Sequence, residues 1–181
     1  STSKALNTTS VRPLKLKSGI VNVPSSAVRE ENIPKRSPAL AITLSEAFDN
    51  GFDEAIFLTE DGKVSEGSAE HIFIARHGVL YSPPSTEDNL DGITRRSIIE
   101  MATQDLGYEF VERSIGRSEL YVADEMFLCG TGAQITPVRS VDRRVLGGGE
   151  IGPMTKRLQS HFDDVVHARV PHRTEWLTPI W

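Results

Sequence analysis

The sequence predicts a mixed α+β domain, on two kinds of pattern. Short apolar stretches joined by tight turns, such as EAIFLTEDGKVSEG at 54–67, are typical of strands paired in hairpins. Between them lie stretches with apolar residues at helical spacing, such as PALAITLSEAFDNGF at 38–52. The 181 residues, of which 38% are hydrophobic, are enough for one domain with a core.

The expected elements alternate between strands and helices along the chain. Strands are predicted at 18–23, in hairpins at 54–67 and 70–81, and again at 108–115, 123–130 and 133–142. Helices are predicted at 38–49, before Asn50-Gly51, at about 93–106, before Gly107, and at 153–166, where Pro153 suits the first turn.

Composition and charge exclude several classes of partner. The net charge of -5 leaves no basic stripe for nucleic acid, and no apolar run reaches the length of a membrane-spanning helix. Nothing resembles a signal peptide, and the one cysteine, Cys129, has no second cysteine with which to form an internal disulfide. We therefore expect a cytoplasmic protein with no nucleic-acid or membrane partner.

The start of the second predicted helix, LDGITRRSIIEMA at 90–102, has the composition of an anion site. Gly92 allows close approach of the backbone, and Thr94 offers a hydroxyl. The first amides of any helix lack intrahelical partners and carry positive partial charge. The alternative is that Thr94 or Asp91 simply caps the helix.

Arg95 and Arg96 follow this turn directly. One of them could stabilise a bound anion. The alternative is that they are surface charges paired with Asp91 or Glu100.

A second turn of small residues lies in LCGTGAQITPV at 128–138. An apolar strand ends at Cys129, and Gly130-Thr131-Gly132-Ala133 then exposes consecutive amides and one hydroxyl, which is the arrangement of an anion nest. Two such turns in one domain would suit a ligand with a phosphate and a carboxylate. The alternative is an ordinary tight link between two strands.

His71 and His77 lie six residues apart in the second predicted hairpin, with Glu70 beside His71. A metal site needs a closed set of ligands, so we expect exposed hairpin histidines and no metal. Glu66, at the end of the first hairpin, is expected from its residue type alone to be solvated.

Five sequence blocks, taken in order, resemble the large domain of the class IV (fold type IV) pyridoxal-phosphate aminotransferases, with most likeness to the branched-chain amino-acid aminotransferases. They are FDEAIFLTEDGKVSEGSAEHIFIARHGVLYSPP, LDGITRRSIIEMA, ELYVADEMFLCGTGAQITPVRSVD, GPMTKRLQ and EWLTPIW. The resemblance implies a mixed-sheet, barrel-like domain of the D-amino acid aminotransferase-like fold, with helices packed outside. It also implies that 1–18 are a remnant of the small domain and linker and that 19–181 are the large cofactor-binding domain.

The resemblance implies a cofactor-binding set drawn from three loops. Its members are Glu66, Leu90, Gly92, Ile93, Thr94 and Thr131. In the family the Gly-Ile-Thr turn and the threonine of the Gly-Thr turn hold the phosphate of pyridoxal phosphate. The acidic residue, here Glu66, pairs with the pyridine nitrogen and keeps it protonated, so that the ring can act as an electron sink. Leu90 would support the ring from one side.

The same resemblance places the substrate carboxylate against backbone groups of Thr131, Gly132 and Ala133. Gly132 stands where the family more often has alanine.

The sequence departs from the family pattern at the lysine that carries the cofactor and moves the proton. Counting back without a gap from Glu46 and Gly51 places Asn32 at the family's lysine position. Lys35, three residues away, is the nearest candidate for the catalytic lysine. The alternative for Lys35 is a solvent-facing side chain beside Arg36. If the loop before the first predicted helix is shorter than in the family, Lys35 is the catalytic lysine; otherwise the catalytic lysine is lost.

The function implied by the resemblance is transamination between a branched-chain or similar hydrophobic L-amino acid and a 2-oxo acid, 2-oxoglutarate, in a homodimer. One alternative is a catalytically silent homologue that acts as a binding or assembly subunit. Another is an enzyme like aminodeoxychorismate lyase, which uses the same cofactor. The ending EWLTPIW favours the aminotransferase over the lyase.

Overall fold

The computed structural model of the chain describes residues 21–23 and 38–178, with side chains from residue 42 onward. The strands are β1 (Val21–Val23), β2 (His71–Arg76), β3 (Val79–Ser82), β4 (Glu109–Glu112), β5 (Glu125–Gly130), β6 (Gln134–Val141) and β7 (Arg144–Val145). The α-helices are α1 (Pro38–Asp49), α2 (Ile93–Glu100), α3 (Arg117–Leu120) and α4 (Pro153–Val166). A π-helical turn at Met101–Asp105 continues α2, and short 3-10 turns lie at Gly147–Gly149 and Pro171–Trp176.

The strands form a seven-stranded mixed sheet in the order β1-β6-β5-β2-β3-β4, with β7 paired to β6. The pairs β1–β6 and β3–β4 are parallel, and the others are antiparallel. The predicted mixed-sheet α+β class is therefore confirmed. Over the described residues the sheet is open, with β1 at one edge and β4 at the other, so the barrel-like shape does not extend to a closed barrel.

Both predicted hairpins are present. In the first, Leu58 bridges Val64, and the amide of Phe57 donates to the Glu66 carbonyl at 2.8 Å. In the second, β2 and β3 are joined at His77 and Gly78, whose φ angles of 52° and 80° are those of a tight hairpin turn with positive φ at both positions.

The helix predicted over 93–106 is also present, in two parts. Its α-helical part ends at Glu100, and the π-helical turn that follows is closed by a hydrogen bond from the Leu106 amide to the Met101 carbonyl at 3.0 Å. Gly107 then adopts a φ of 69°, the left-handed conformation that ends many helices.

Alternate residues of the central strands supply two hydrophobic clusters. Ile72, Ile74, Met126 and Leu128 belong to the cluster that includes α3 and the first hairpin. Phe73, Ala75, Phe127 and Cys129 belong to the cluster that includes Ile98 of α2 and Leu158 of α4. Because successive side chains of a strand point to opposite faces, these clusters lie on the two sides of the sheet. Helices α2 and α4 thus cover the side of the sheet on which the His71 side chain also lies.

Two short elements were not predicted. Helix α3 has four residues and β7 has two, which is too short for a periodic pattern to be recognised. The strand predicted at 108–115 is present only over Glu109–Glu112.

Among the described residues, no helix is long and apolar enough to cross a membrane.

Candidate functional site

The turn that opens α2 has the backbone expected of an anion site. Gly92 is the N-cap residue, with φ -81° and ψ 133°, and no side chain forms a capping hydrogen bond there. The alternative that Thr94 or Asp91 caps the helix is therefore wrong. The Asp91 carboxylate instead lies 3.7 Å from Arg96 Nε. The backbone amides of Ile93 and Thr94 belong to the first turn, where an anion can serve as their acceptor.

His71 lies directly beneath Gly92. A Cβ atom added to Gly92 would lie 2.6 Å from His71 Cδ2 and closer still to Nε2, so only glycine fits at this position. His71 is 8% exposed, and the expectation of an exposed hairpin histidine is wrong for it. The alternation of residues along β2 could have indicated this burial, because the His71 side chain lies on the same face as the buried Phe73. No group of three His, Cys, Asp or Glu side chains that could hold a metal occurs among the described residues.

Glu66 joins the first hairpin to the loop before α2. Its Oε2 accepts a hydrogen bond from the Leu90 amide at 3.0 Å, and its side chain is half-buried. The expectation of a solvated hairpin residue is therefore wrong. The Leu90 side chain is 55% exposed, so an apolar surface stands beside the Glu66 carboxylate.

Two buried carboxyl groups, Glu54 and Glu70, lie behind the Glu66 loop and were not predicted. They are 1% and 6% exposed, and the two side chains are hydrogen-bonded to each other. Burial, and then the charge of Glu70, raise the pKa of Glu54 to about 7. Burial also raises the pKa of Glu70. No sequence pattern marks them, because each becomes buried only through contacts made by the folded sheet and loops.

The second predicted turn connects β5 to β6. Thr131 and Gly132 are exposed, and Ala133 is buried with its carbonyl accepting a hydrogen bond from Thr136 Oγ1 at 2.7 Å. A Cβ at Gly132 would meet nothing within 4 Å, so the alanine that the family more often has would fit. A Cβ at Gly130 would lie 3.0 Å from the Ala69 carbonyl oxygen, which places this turn directly against the Glu66 loop.

The two arginines behind the α2 turn have different surroundings. Arg95 is buried, with hydrogen bonds to Ser82 Oγ at 3.1 Å, to the Pro83 carbonyl at 2.9 Å and to Glu112 Oε2 at 2.5 Å. Arg96 is exposed near Asp91. Arg95 therefore anchors α2 to β3 and β4, and the surface pairing with Asp91 holds for Arg96.

The sheet register brings these elements together at one end. His71 pairs with Cys129, the residue before Gly130, and the His71 side chain supports Gly92. Glu66 is tied to Leu90 in the same region. The predicted residues of both turns and Glu66 thus surround the start of β2 and the end of β5. Lys35, the predicted catalytic lysine, lies outside the described residues, as does Asn32.

Comparison with known proteins gives consistent matches. Residues 36–141 match the family model described as amino-transferase class IV. A branched-chain-amino-acid aminotransferase of Pseudomonas aeruginosa is 44% identical over 137 residues, which are 76% of this chain and 44% of that relative. The chain therefore spans about half the length of the curated relatives that it matches.

Solved structures agree with this result. A branched-chain aminotransferase from Thermoproteus uzoniensis, solved with norvaline, has a TM-score of 0.84 and 38% identity, covering 92% of this chain and 58% of that one. The branched-chain amino acid aminotransferase from Thermobaculum terrenum in its PLP-form, the holo-form, has a TM-score of 0.81 and 39% identity, covering 89% and 55%.

Proposed function

Because this chain belongs to the amino-transferase class IV family, we propose that it is the cofactor-binding part of a pyridoxal-phosphate-dependent aminotransferase. Its proposed substrates are branched-chain or similar hydrophobic L-amino acids, with 2-oxoglutarate as the acceptor of the amino group. The observation that carries the proposal is the hydrogen bond from the Leu90 amide to Glu66 Oε2, since it places a carboxylate beside the anion-binding turn of α2. Relatives named as branched-chain aminotransferases support the substrate class.

The residues present fit pyridoxal phosphate. The absence of a Cβ at Gly92 and of any side-chain cap leaves the first amides of α2 to an anion, here the phosphate. The exposed Thr131 hydroxyl is the proposed second phosphate donor. When bound, the cofactor supplies an electron sink for the negative charge that develops at the substrate Cα.

Each protein group has a defined task in this proposal. Glu66 holds a proton at the pyridine nitrogen, and the Leu90 amide orients its carboxylate. The Leu90 side chain supports one face of the ring. Backbone groups of Thr131, Gly132 and Ala133 orient the substrate carboxylate. Lys35 is proposed as the lysine that carries the cofactor and moves the substrate proton.

The proposed domain assignment is a small-domain remnant and linker at 1–18 and the large domain at 19–181. We propose a homodimer located in the cytoplasm. A second candidate function is a catalytically silent homologue that keeps the scaffold. The observation in its favour is Asn32, which a gapless count places at the lysine position.

Reductive labelling tests the proposal. Purified protein mixed with pyridoxal phosphate is expected to develop a visible absorbance band, which borohydride then fixes covalently onto the peptide that contains Lys35. Lys63, in the turn of the first hairpin, is an exposed lysine for comparison, and its peptide should stay unlabelled. Binding of the cofactor without labelling of Lys35 would favour the silent homologue, and no binding at all would contradict the proposed function.

A further inference from the structure

The buried carboxyl groups Glu54 and Glu70 have no part in the proposed chemistry, yet they lie directly behind the loops that form the proposed site. Two carboxylates in contact inside a protein cannot both be ionised without strong repulsion, whereas one proton shared between them gives a good hydrogen bond. Their mutual hydrogen bond therefore implies one proton between the two groups. Among the described residues, the buried Cys129 thiol on β5 also interacts electrostatically with Glu70. In the sequence, Asp53 directly precedes Glu54 and His71 directly follows Glu70.

The pair organises the backbone of the loop that begins at Glu66. Ser68 donates its amide to Glu54 Oε1 at 3.3 Å and its hydroxyl to Glu54 Oε2 at 2.9 Å. The Ala69 amide donates to Glu70 Oε2 at 3.0 Å, and the Gly67 amide donates to the Glu70 carbonyl at 2.6 Å. Each amide from Gly67 to Ala69 is thus bonded to Glu54 or Glu70.

Glu70 also fills the space between this loop and the Thr131 turn. A Cβ at Gly67 would lie 3.1 Å from Glu70 Oε2, and a Cβ at Gly130 would lie 3.7 Å from Glu70 Cγ. The Glu70 side chain therefore packs against glycine on both sides. A larger side chain at position 70 would therefore displace one of the two loops, and a smaller one would leave a gap between them.

We propose that Glu54 and Glu70 form a proton-sharing pair of positioning residues, which fixes Glu66 and the Gly130-Thr131 turn in the relative placement that the cofactor requires. The inference rests on the proposed function, because it concerns the same site. Neither residue is assigned a contact with the cofactor. Both act through the loop amides and through Gly130.

The test compares two substitutions of Glu70 by equilibrium titration with pyridoxal phosphate. Glu70→Gln keeps an oxygen for the Ala69 amide and offers an NH2 group to Glu54, so its affinity near neutral pH should stay within about threefold of wild type. Glu70→Ala removes the hydrogen bond to Glu54 and leaves the Ala69 amide without its acceptor, so it should weaken affinity by about tenfold or more.

The matched control is Glu125→Ala. Glu125 also binds backbone amides, those of Met154 and Thr155 at 3.0 and 2.8 Å, but it does so at the start of α4. This variant should lose thermal stability without losing cofactor affinity. If Glu70→Ala and Glu125→Ala lose stability alike and both bind pyridoxal phosphate as wild type does, the positioning role is overturned.

A pH profile gives a readout that a merely structural role would not move. As pH rises through about 7, wild type loses the shared proton and its affinity for pyridoxal phosphate should fall. Glu70→Gln has no such proton, so its affinity should change less over the same range. Parallel profiles would overturn the inference, and this comparison decides alone if Glu70→Ala does not fold. If the wild-type protein binds no pyridoxal phosphate, both the proposed function and this inference are wrong. If it binds pyridoxal phosphate and the two pH profiles are parallel, only this inference is wrong.

Discussion

Replacement of Gly92 by alanine should destabilise the fold through one contact. The new Cβ would lie 2.6 Å from His71 Cδ2, a separation that real Cβ atoms essentially never show. His71 is buried on β2, where it pairs with Cys129 of β5, so its ring has little room to move away from the new Cβ. The φ of Gly92 is -81°, a value that alanine adopts without strain, so the cost is almost entirely steric.

The magnitude follows from the type of change. Forcing an extra methyl group into a packed site costs about 1–3 kcal/mol, and alanine at an N-cap is less favourable than glycine by about 0.5–1 kcal/mol. We therefore expect Gly92→Ala to lower the free energy of unfolding by about 2–3 kcal/mol. Gly132→Ala is the matched control. Its Cβ meets nothing within 4 Å, so its cost should be below about 0.5 kcal/mol.

Urea denaturation of a double-mutant cycle measures this contact. Shortening His71 to alanine removes the obstacle, so Gly92→Ala should cost less in the His71→Ala background than in wild type. The coupling energy between the two positions should be about 1–2 kcal/mol. Equal costs for Gly92→Ala and Gly132→Ala, or a coupling near zero, would refute the placement of His71 under the α2 turn.

Three further predictions concern the cofactor and pH. Thr131→Val keeps the side-chain volume and removes a hydroxyl donor, so the affinity for pyridoxal phosphate measured by titration should fall by about 1 kcal/mol or more, and unchanged affinity would place the phosphate elsewhere. Burial, and then the charge of Glu70, raise the pKa of Glu54 from 4.5 to about 7, so the free energy of unfolding should fall as pH rises across that range. Glu54→Gln should flatten this fall in urea titrations at several pH values, and an unchanged slope would contradict the assignment. Burial alone would raise the pKa of Asp105, but hydrogen bonds from Arg173, His161 and His172 lower the pKa below its usual value. The ionised Asp105 should therefore stabilise the fold at neutral pH, and this stabilisation should be lost as pH falls through the acid range. Asp105→Asn should lower the free energy of unfolding by about 3 kcal/mol near pH 7, because it leaves the buried Arg173 guanidinium without its closest charge partner. A loss that does not become smaller in acid would contradict the lowered pKa of Asp105.

The parts of the fold that the sequence predicted are those set by local patterns. The first turn of α2, the helix stop at Gly107 and the turn at His77-Gly78 each depend on a few neighbouring residues. The hairpin at 54–67 is local in the same way, since Leu58 meets Val64 across a short turn.

What could not be predicted depends on the order of strands in the sheet. The alternation of β2 indicates the face on which His71 lies, but the start of α2 that covers it is brought there from a distant part of the chain. Glu54 and Glu70 become a pair only when the first hairpin folds against the start of β2. A charged residue in such a place looks like a surface residue until its partner is known.

A crystal structure of the chain grown with pyridoxal phosphate tests the proposed cofactor site. The phosphate should lie within hydrogen-bond distance of the Ile93 and Thr94 amides and of the Thr131 hydroxyl, with the pyridine nitrogen at the Glu66 carboxylate. A cofactor bound with its phosphate away from both turns, or with its ring nitrogen remote from Glu66, would show that the site is wrongly assigned.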